Sequence, residues 1–214
     1  MVSVKVLKIT SALLLDYLFR PTIHQASRVA SLIAKAMHDD PLHIHLVPSE
    51  EQRKKILPIL FRLIAKFGIY QGRLFSTSED LEGVAIWLTP KDKMFSGFLD
   101  LLSEGASLFA KAGIKIMARM IRYSHYARKL HKRHGSFAHW YLALLAVDPL
   151  HQRQKYASSL VRPVLAFLDI EKLPCYLETH SAKNAAIYQH YGFRIVEVGK
   201  IPGSSITQWS MVRG

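Results

Sequence analysis

Two segments in the C-terminal half of the chain carry residue types that could bind an anion and move a proton. The first runs from Leu145 to Ala157, where an apolar stretch is followed by Asp148-Pro149 and then by the start of a predicted helix. The first N–H groups of a helix have no acceptor within the helix, and the aligned peptide dipoles add positive potential there. A pyrophosphate suits such a place, although an ordinary strand-turn-helix connection has the same pattern.

The second segment contains Asn184 and Tyr188, four residues apart in a predicted helix that ends near Gly192. Side chains with this spacing share one face of a helix, so both can contact a single ligand. Gly192 suits the end of that helix, because a left-handed backbone costs least without a Cβ. The segment therefore predicts a second ligand-contacting surface.

Together the two segments resemble the GNAT superfamily of acetyltransferases. The family's cofactor loop usually reads Val-Asp-Pro-x-x-Gln-x-x-Gly-x-Gly/Ala, and this chain has 147–149, Gln152 and Ala157 in the same order and spacing. The family's second motif, Asn-x-x-x-Tyr-x-x-x-Gly-Phe, matches 184–193. The resemblance is firm over 139–198, which it identifies as an acetyl-CoA-binding core.

The resemblance implies that acetyl-CoA is the cosubstrate. The strand that ends at Val147 would diverge from the strand at Cys175, with the pantetheine arm in the gap and the pyrophosphate on the loop amides. Asn184 would contact the arm. The implied cofactor-binding residues are Leu145, Ala146, Val147, Gln152, Arg153, Gln154, Lys155, Tyr156, Ala157, Asn184, Tyr188 and Tyr191.

The implied reaction transfers an acetyl group to a primary amine, by direct attack of the amine on the thioester in a ternary complex. Tyr188 would act as general acid on the CoA thiolate, since a phenol with an ordinary pKa of about 10 can donate a proton. Glu178 is the predicted catalytic group for the ammonium's proton, and His139 on the neighbouring strand is a second candidate. Either residue could instead be a structural polar group beside a strand.

Two loop residues depart from the family pattern. Lys155 stands where the family usually has glycine, and Arg153 replaces another common glycine. The added cations could strengthen the phosphate site, or the Lys155 side chain could obstruct the cofactor. The second outcome would leave a noncatalytic CoA-binding or scaffold protein. We predict a working site, because Asn184 and Tyr188 occur together.

The elements that must position these residues alternate between strands and helices, which is typical of an α/β fold. The resemblance specifies a mixed, mostly antiparallel central sheet flanked by helices, with a helical insertion before the cofactor-binding strand. Capping residues at Thr22 and Ser49 begin two upstream helices, and a short strand is expected at 17–20. Further strands are predicted at 69–77, 82–88, 139–147, 175–179, 193–198 and 207–213, with downstream helices at 152–170 and 181–191.

The predicted insertion, 91–134, is rich in positive charge. It holds ten Lys or Arg against three acidic residues, and no acid follows Gly105. The spacing of its apolar residues predicts one buried helix face with solvated cations elsewhere. A sharper hypothesis places 105–134 against an anionic acceptor or a peripheral anionic membrane surface. The predicted apolar face consists of Phe109, Gly113, Ile116, Met120, Tyr123, Ala127 and Leu130.

Length and charge limit the remaining possibilities. The 214 residues suit one domain, 1–214, in which 1–15 form an N-terminal extension. Cys175 is the only cysteine, which excludes an internal disulfide and favours a reducing, cytoplasmic location. The net charge of +13 favours anionic partners, but no recognised nucleic-acid motif accompanies it, so we expect no nucleic-acid partner.

The acceptor is expected to be a small-molecule or peptide amine, whose identity the sequence does not give. No metal site is predicted among the eleven histidines. His43 and His45 alternate in a predicted loop or short strand, and no carboxylate or thiolate set completes a recognisable site there.

Overall fold

The computed structural model describes residues 15–90 and 102–214, and within the second range it describes side chains from residue 108 onward. The predicted N-terminal extension lies outside the described residues apart from Leu15. The first part of the predicted insertion, 91–101, also lies outside them. Across the described ranges, no helix is both long enough and apolar enough to cross a membrane.

The elements follow one another in a mixed order of helices and strands. The helices are α1 (Ala26–Ala36), α2 (Pro41–Leu46), α3 (Glu50–Tyr70), α4 (Leu102–His134), α5 (Tyr156–Glu171) and α6 (Ala182–His190). The strands are β1 (Leu74–Ser76), β2 (Gly83–Leu88), β3 (Trp140–Val147), β4 (Cys175–Thr179), β5 (Arg194–Lys200) and β6 (Thr207–Arg213).

The six strands form one sheet in the order β1-β2-β3-β4-β6-β5. The β3–β4 pair is parallel, and every other neighbouring pair is antiparallel. Helices cover both faces of this sheet. The predicted mixed, mostly antiparallel sheet flanked by helices is therefore confirmed.

The two faces of the sheet bury different residues, because side chains alternate along a strand. On the α5 face, Trp87, Leu142 and Leu177 pack in one cluster with Leu160 and other residues of α5. On the opposite face, called here the α4 face, β1 and β2 pack against α1 and α3. Helix α4 packs farther along that face, where it also contacts β6 and α3.

Local capping determines where the N-terminal helices begin. The Thr22 amide donates to Gln25 Oε1 over 2.9 Å at the short turn that leads into α1, and Ser49 Oγ accepts from the Gln52 amide at the start of α3. Asp40 caps α2 by accepting from the Leu42 amide over 2.9 Å, and Pro41 occupies the first helical position. His43 and His45 therefore lie in a helix, and the predicted loop or short strand was wrong.

Two predicted strands are shorter than expected. The strand predicted for 69–77 is confined to β1, because Ile69 and Tyr70 complete α3 and Gly72 follows with a φ of +63°. The strand predicted for 17–20 is a single bridge, in which the Ser76 amide donates to the Phe19 carbonyl over 2.8 Å.

Helix α4 confirms the predicted helical insertion over 102–134, but its buried face differs near the start. The backbone at Gly113 is non-helical, with φ 70° and ψ 170°. Phe109 was predicted to be buried and is 54% exposed, because Leu108 faces the core instead. Gly113 is also exposed. The buried positions in α4 are Leu108, Ala112, Ile116, Ala127 and Leu130.

Arg213, at the end of β6, connects both helices of the α5 face. Its guanidinium donates to both Asp169 oxygens over 2.7 and 2.8 Å, near the end of α5. Its Nε also donates to the Tyr191 carbonyl over 2.8 Å, directly after α6. This single side chain thus fixes the ends of α5 and α6 to the same strand.

Replacing Arg213 with lysine should lower the free energy of unfolding by about 1–2 kcal/mol, because a single ammonium cannot keep the bidentate pair and the carbonyl bond. Arg194→Lys, on an exposed residue at the start of β5, is the matched control and should change it by less than about 0.5 kcal/mol. Urea denaturation of both variants measures the difference. Equal stabilities would show that Arg213 does not hold the helix ends.

Candidate active site

Strands β3 and β4 stop pairing in the middle of the sheet. Their paired residues are Trp140–Cys175, Tyr141–Tyr176 and Leu142–Leu177. Beyond this point β3 continues to Val147 and β4 to Thr179. The edge of β3 that faces β4 therefore has no strand partner over 143–147, and a gap opens between the C-terminal ends of the two strands.

A bulge in β3 lies beside this gap. Ile86 of β2 is opposite Leu144, whereas Trp87 is opposite Leu142, so Ala143 is an extra residue in β3. Bulges bend a strand and increase its local twist. Here the bulge follows the last β3–β4 pair at once, so β3 stays paired with β2 while it turns away from β4.

The loop between β3 and α5 has an unusual backbone. Gln152 is extended, with a φ of −64° and a ψ of 156°, whereas Arg153 has a φ of +64° and Lys155 a φ of +69°. The left-handed Lys155 directly precedes the right-handed start of α5, and such a step turns successive N–H groups toward one side, where an anion can bind. The predicted helix start at 152 was wrong, because these residues precede the helix in this conformation.

Most residues of this loop are exposed to solvent. Gln152, Arg153, Gln154 and Lys155 are exposed, whereas Tyr156 and Ala157 are half-buried. Lys155 is the N-cap of α5 and makes no side-chain capping bond. The amides of the first turn of α5 therefore depend on another acceptor, as helix starts do in general.

Helix α6 carries Asn184 and Tyr188 on the α5 face of the sheet. Asn184 is exposed, and Tyr188 is half-buried with its ring 6.0 Å from that of Phe193. Burial raises the pKa of the Tyr188 phenol well above its usual value, so the phenol stays protonated at neutral pH. Tyr191 follows α6 and lies under the Arg162 guanidinium of α5, 5.7 Å from the ring centroid.

The two predicted motifs meet on the α5 face of the sheet. Helix α5 contacts β2 and β3, whereas α6 contacts β4 and β5, so the gap between β3 and β4 runs between the two helices. Leu145 on β3 and Tyr188 on α6 pack against the same hydrophobic cluster. The structure thus places the unpaired β3 edge and Tyr188 on the same side of the sheet.

Glu178 lies on the other side of the sheet, on the α4 face. The hydroxyls of Tyr176 and Tyr141 donate to its two carboxylate oxygens over 2.8 and 3.1 Å. Burial raises the pKa of Glu178 to about 7, and the two hydrogen bonds oppose this rise only in part. A carboxyl with this pKa can exchange a proton near neutral pH.

A second set of polar side chains lies near the end of β4 on the same face. His180 Nε2 lies 3.2 Å from Gln208 Oε1 and 3.4 Å from the Tyr123 hydroxyl of α4. His180 Nε2 is therefore within hydrogen-bonding distance of both side chains. Burial lowers the pKa of His180, while the Asp40 carboxylate opposes this shift. The interior of this face is therefore lined with uncharged donors and acceptors beside Glu178.

His139 occupies a different place from Glu178. Its Nδ1 donates to the Phe137 carbonyl over 2.7 Å, and its Nε2 lies 3.0 Å from His131 Nε2. Both ring nitrogens of His139 are thus engaged, and the rings of Tyr141 and Tyr176 lie between this pair and the Glu178 carboxylate. Glu178 thus follows the last paired residue of β4, at the gap, whereas His139 precedes β3 at the other end of the strand.

The tyrosines that hold Glu178 were missed by the sequence analysis. Tyr176 and Glu178 alternate along β4, which is a signal that they share a face. Tyr141 joins them only through the register that places it opposite Tyr176, and Tyr123 only through the packing of α4. The sequence contained no signal for these last two contacts.

A shallow pocket of about 440 Å³ lies elsewhere on the protein. Its lining includes Phe137, Pro174 and Arg194, which precede or begin strands β3, β4 and β5. These residues are at the end of the sheet opposite to the gap. The pocket is therefore separate from the candidate site.

Comparisons with known proteins agree with this geometry. A model described as the acetyltransferase (GNAT) family matches residues 82–193. An uncharacterized N-acetyltransferase of Schizosaccharomyces pombe is 27% identical over 179 residues, which cover 78% of this chain and 69% of that protein.

Two solved structures share the fold. The histone acetyltransferase HPA2 and related acetyltransferase from Corynebacterium glutamicum has a TM-score of 0.63 at 21% identity, covering 92% of this chain and 94% of its own. The polyamine N-acetyltransferase of Drosophila melanogaster, which catalyses the formation of N-acetylagmatine, has a TM-score of 0.57 at 14% identity, covering 90% and 96%. Because the family model spans more than half of the sequence, the chain belongs to the GNAT family of acetyltransferases.

Proposed function

We propose that this protein transfers an acetyl group from acetyl-CoA to a primary amine, by direct attack of the amine in a ternary complex. The observation that carries the proposal is the early end of β3–β4 pairing at Leu142 and Leu177. It opens a gap between β3 and β4, with Tyr188 on the α5 face of the sheet and Glu178 on the α4 face. Acetyl transfer from a bound thioester needs these features at one place.

The proposed cofactor path follows the unpaired edge of β3. The amides and carbonyls of Leu145, Ala146 and Val147 would bond the pantetheine arm much as a neighbouring strand would. Asn184 would contact the same arm from α6. The loop amides at 152–157 would hold the pyrophosphate, where the dipole of α5 also favours negative charge.

Tyr188 is the proposed general acid. Its hydroxyl makes no hydrogen bond to any residue that the structure describes, and its phenol is protonated at neutral pH. A protonated hydroxyl without another acceptor is available to donate to the departing CoA thiolate, and its raised pKa makes it a weaker acid than a free phenol. The backbone at the bulge in β3 would polarise the thioester carbonyl.

Glu178 is the proposed acceptor of the amine's proton. The amine would approach a thioester in the gap from the α4 face, where Glu178 lies between Tyr141 and Tyr176. An ammonium that enters there meets a carboxylate which is half ionised near pH 7. The proposed acceptor is therefore a small molecule or peptide with a primary amine, and the polyamine enzyme with the same fold agrees with this class.

The alternative function is a noncatalytic protein that binds or once bound CoA. The left-handed conformations of Arg153 and Lys155 favour it, because two long side chains occupy positions where glycine would leave more room. Their exposure favours a working site, since exposed side chains can move aside from a phosphate.

Titration calorimetry with acetyl-CoA, followed by thiol release with a panel of amines, tests the proposal. We expect heat on titration and amine-dependent thiol release.

Lys155→Gly should keep acetyl-CoA affinity within about tenfold if the lysine adds one charge-assisted contact. The matched control is Lys172→Gly, because Lys172 has a φ of 52° and lies at the opposite end of α5.

Both glycine variants should raise the free energy of unfolding by about 0.5–1 kcal/mol, since glycine adopts a positive φ without steric cost. Only Lys155→Gly should change acetyl-CoA affinity. Binding without thiol release for any amine would support the noncatalytic alternative. If neither heat nor protection from thermal unfolding is seen, the proposed cofactor site is wrong.

Tyr188→Phe should lower the rate of thiol release by about 10²-fold while acetyl-CoA still binds, because the ring remains and the proton donor is lost. Tyr70→Phe, on a residue 77% exposed at the end of α3, is the matched control and should keep the wild-type rate. Stopped-flow detection of the free thiol measures both. An unchanged rate in Tyr188→Phe at every pH would remove Tyr188 from the mechanism.

The rate of acetyl transfer should rise with pH through about 7, because Glu178 must lose its proton to act as a base. Glu178→Gln should abolish this rise.

The free energy of unfolding should change in the opposite direction, since a carboxyl with a raised pKa in the folded state stabilises that state at low pH and loses this effect as pH rises to about 7. Urea denaturation between about pH 4.5 and 7 should therefore show a fall in wild-type stability that Glu178→Gln lacks; a parallel pH dependence would contradict the assignment.

A further inference from the structure

Helix α4 exposes large apolar side chains on its solvent side. Ile114 is 76% exposed and Ile121 is 53% exposed. They are seven residues apart, so they lie on the same strip of the helix, and exposed Ala118 lies between them. The buried face of α4, which includes Ile116 and Ala127, is on the other side.

Cations line this apolar strip. Lys115, Arg122 and Lys129 also follow one another at intervals of seven, each displaced from the isoleucine strip by less than a third of a turn. All three are exposed, and none forms an ion pair with another residue that the structure describes. The Arg122 guanidinium lies close to Gly203 between β5 and β6, where a Cβ would be 3.2 Å from it. From Gly105 to His134 the sequence has no acidic residue. The isoleucine strip and this row of cations together are called the outer face of α4.

The position of the helix is fixed independently of the outer face. At the end of α4, Arg133 donates to both Glu197 oxygens over 3.0 Å, and His134 contacts the same carboxylate. Leu108 and Ile116 are buried in a cluster with α2 and α3. These contacts fix the rotation of α4 and hold its outer face toward solvent.

We propose that the outer face of α4 binds an anionic lipid surface. Cations beside an exposed aliphatic strip fit the boundary of a bilayer, where the cations meet anionic headgroups and the aliphatic side chains enter the edge of the acyl region. A nucleic acid or an acidic protein would use the cations, but it would gain little from two exposed isoleucines. The apolar strip thus favours lipid over these other polyanions.

Co-sedimentation with vesicles tests this proposal. We expect binding to vesicles of phosphatidylcholine with phosphatidylserine, no binding to phosphatidylcholine alone, and release at high salt. Lys115→Gln/Arg122→Gln/Lys129→Gln should weaken binding on the order of 100-fold. The matched control, Arg28→Gln/Lys55→Gln/Lys172→Gln, removes the same charge from exposed positions on other elements and should change binding only a few-fold.

Ile114→Gln/Ile121→Gln separates lipid from other polyanions. It should weaken vesicle binding about tenfold or more while retention on heparin stays unchanged, because heparin offers no apolar region. Both side chains are exposed, so the thermal unfolding of the variant should match that of the wild type. The proposal is overturned if wild-type protein does not sediment with the anionic vesicles at low salt. It is also overturned if Ile114→Gln/Ile121→Gln binds the vesicles as tightly as the wild type. The same holds if the charge control weakens vesicle binding as much as Lys115→Gln/Arg122→Gln/Lys129→Gln does.

Discussion

The parallel contact between β3 and β4 is the constraint on which the site depends. Backbone N–H and C=O groups inside a protein need partners, and central strands normally find them in their neighbours. Here the pairing ends at Leu142 and Leu177, although both strands continue. The extra residue Ala143 lets β3 stay paired with β2 while it leaves β4. A polar edge is thereby created at the centre of the sheet, which a ligand with its own amides can complete.

The two faces of the gap differ in chemistry because of strand alternation. On the α5 face, Cys175 and Leu177 are buried with apolar neighbours, and burial raises the pKa of the Cys175 thiol to about 12. On the α4 face, Tyr176 and Glu178 point toward hydroxyl and imidazole groups. A buried carboxylate costs stability unless it is fully compensated, and an apolar residue would serve packing better. The raised pKa of Glu178 shows that compensation is incomplete, which is typical of functional sites.

The sequence predicted the elements that carry the motifs better than the contacts between them. Strands β4 and β6 have the bounds that were expected, because turn-forming residues, Pro174 and Gly203-Ser204-Ser205, precede them. The loop before α5 was misplaced, since its conformation depends on positive φ values that the residue types Arg153 and Lys155 do not indicate. Glu178 was found from its strand. Its partner Tyr141 required the β3–β4 register, which is a long-range property.

The loop between β3 and α5 adopts two left-handed backbone conformations without glycine. A left-handed conformation costs roughly 1–2 kcal/mol for a residue with a Cβ, and such strain persists only where the surroundings enforce it. The enforcing contacts lie on either side of the loop. The Asp148 carboxylate accepts from the Leu150 amide over 3.0 Å, and its Oδ2 lies 3.7 Å from Lys35 Nζ of α1. Beyond the loop, Leu160 of α5 packs so closely on Gly83 of β2 that a Cβ there would lie 3.2 Å away.

Because both ends of the loop are held by these contacts, the chain must reach α5 within a few residues. The positive φ values of Arg153 and Lys155 therefore depend on tertiary packing, since neither residue type favours them. The Lys155 side chain is exposed next to the first turn of α5, so it adds a cation beside helix amides that its own side chain does not cap.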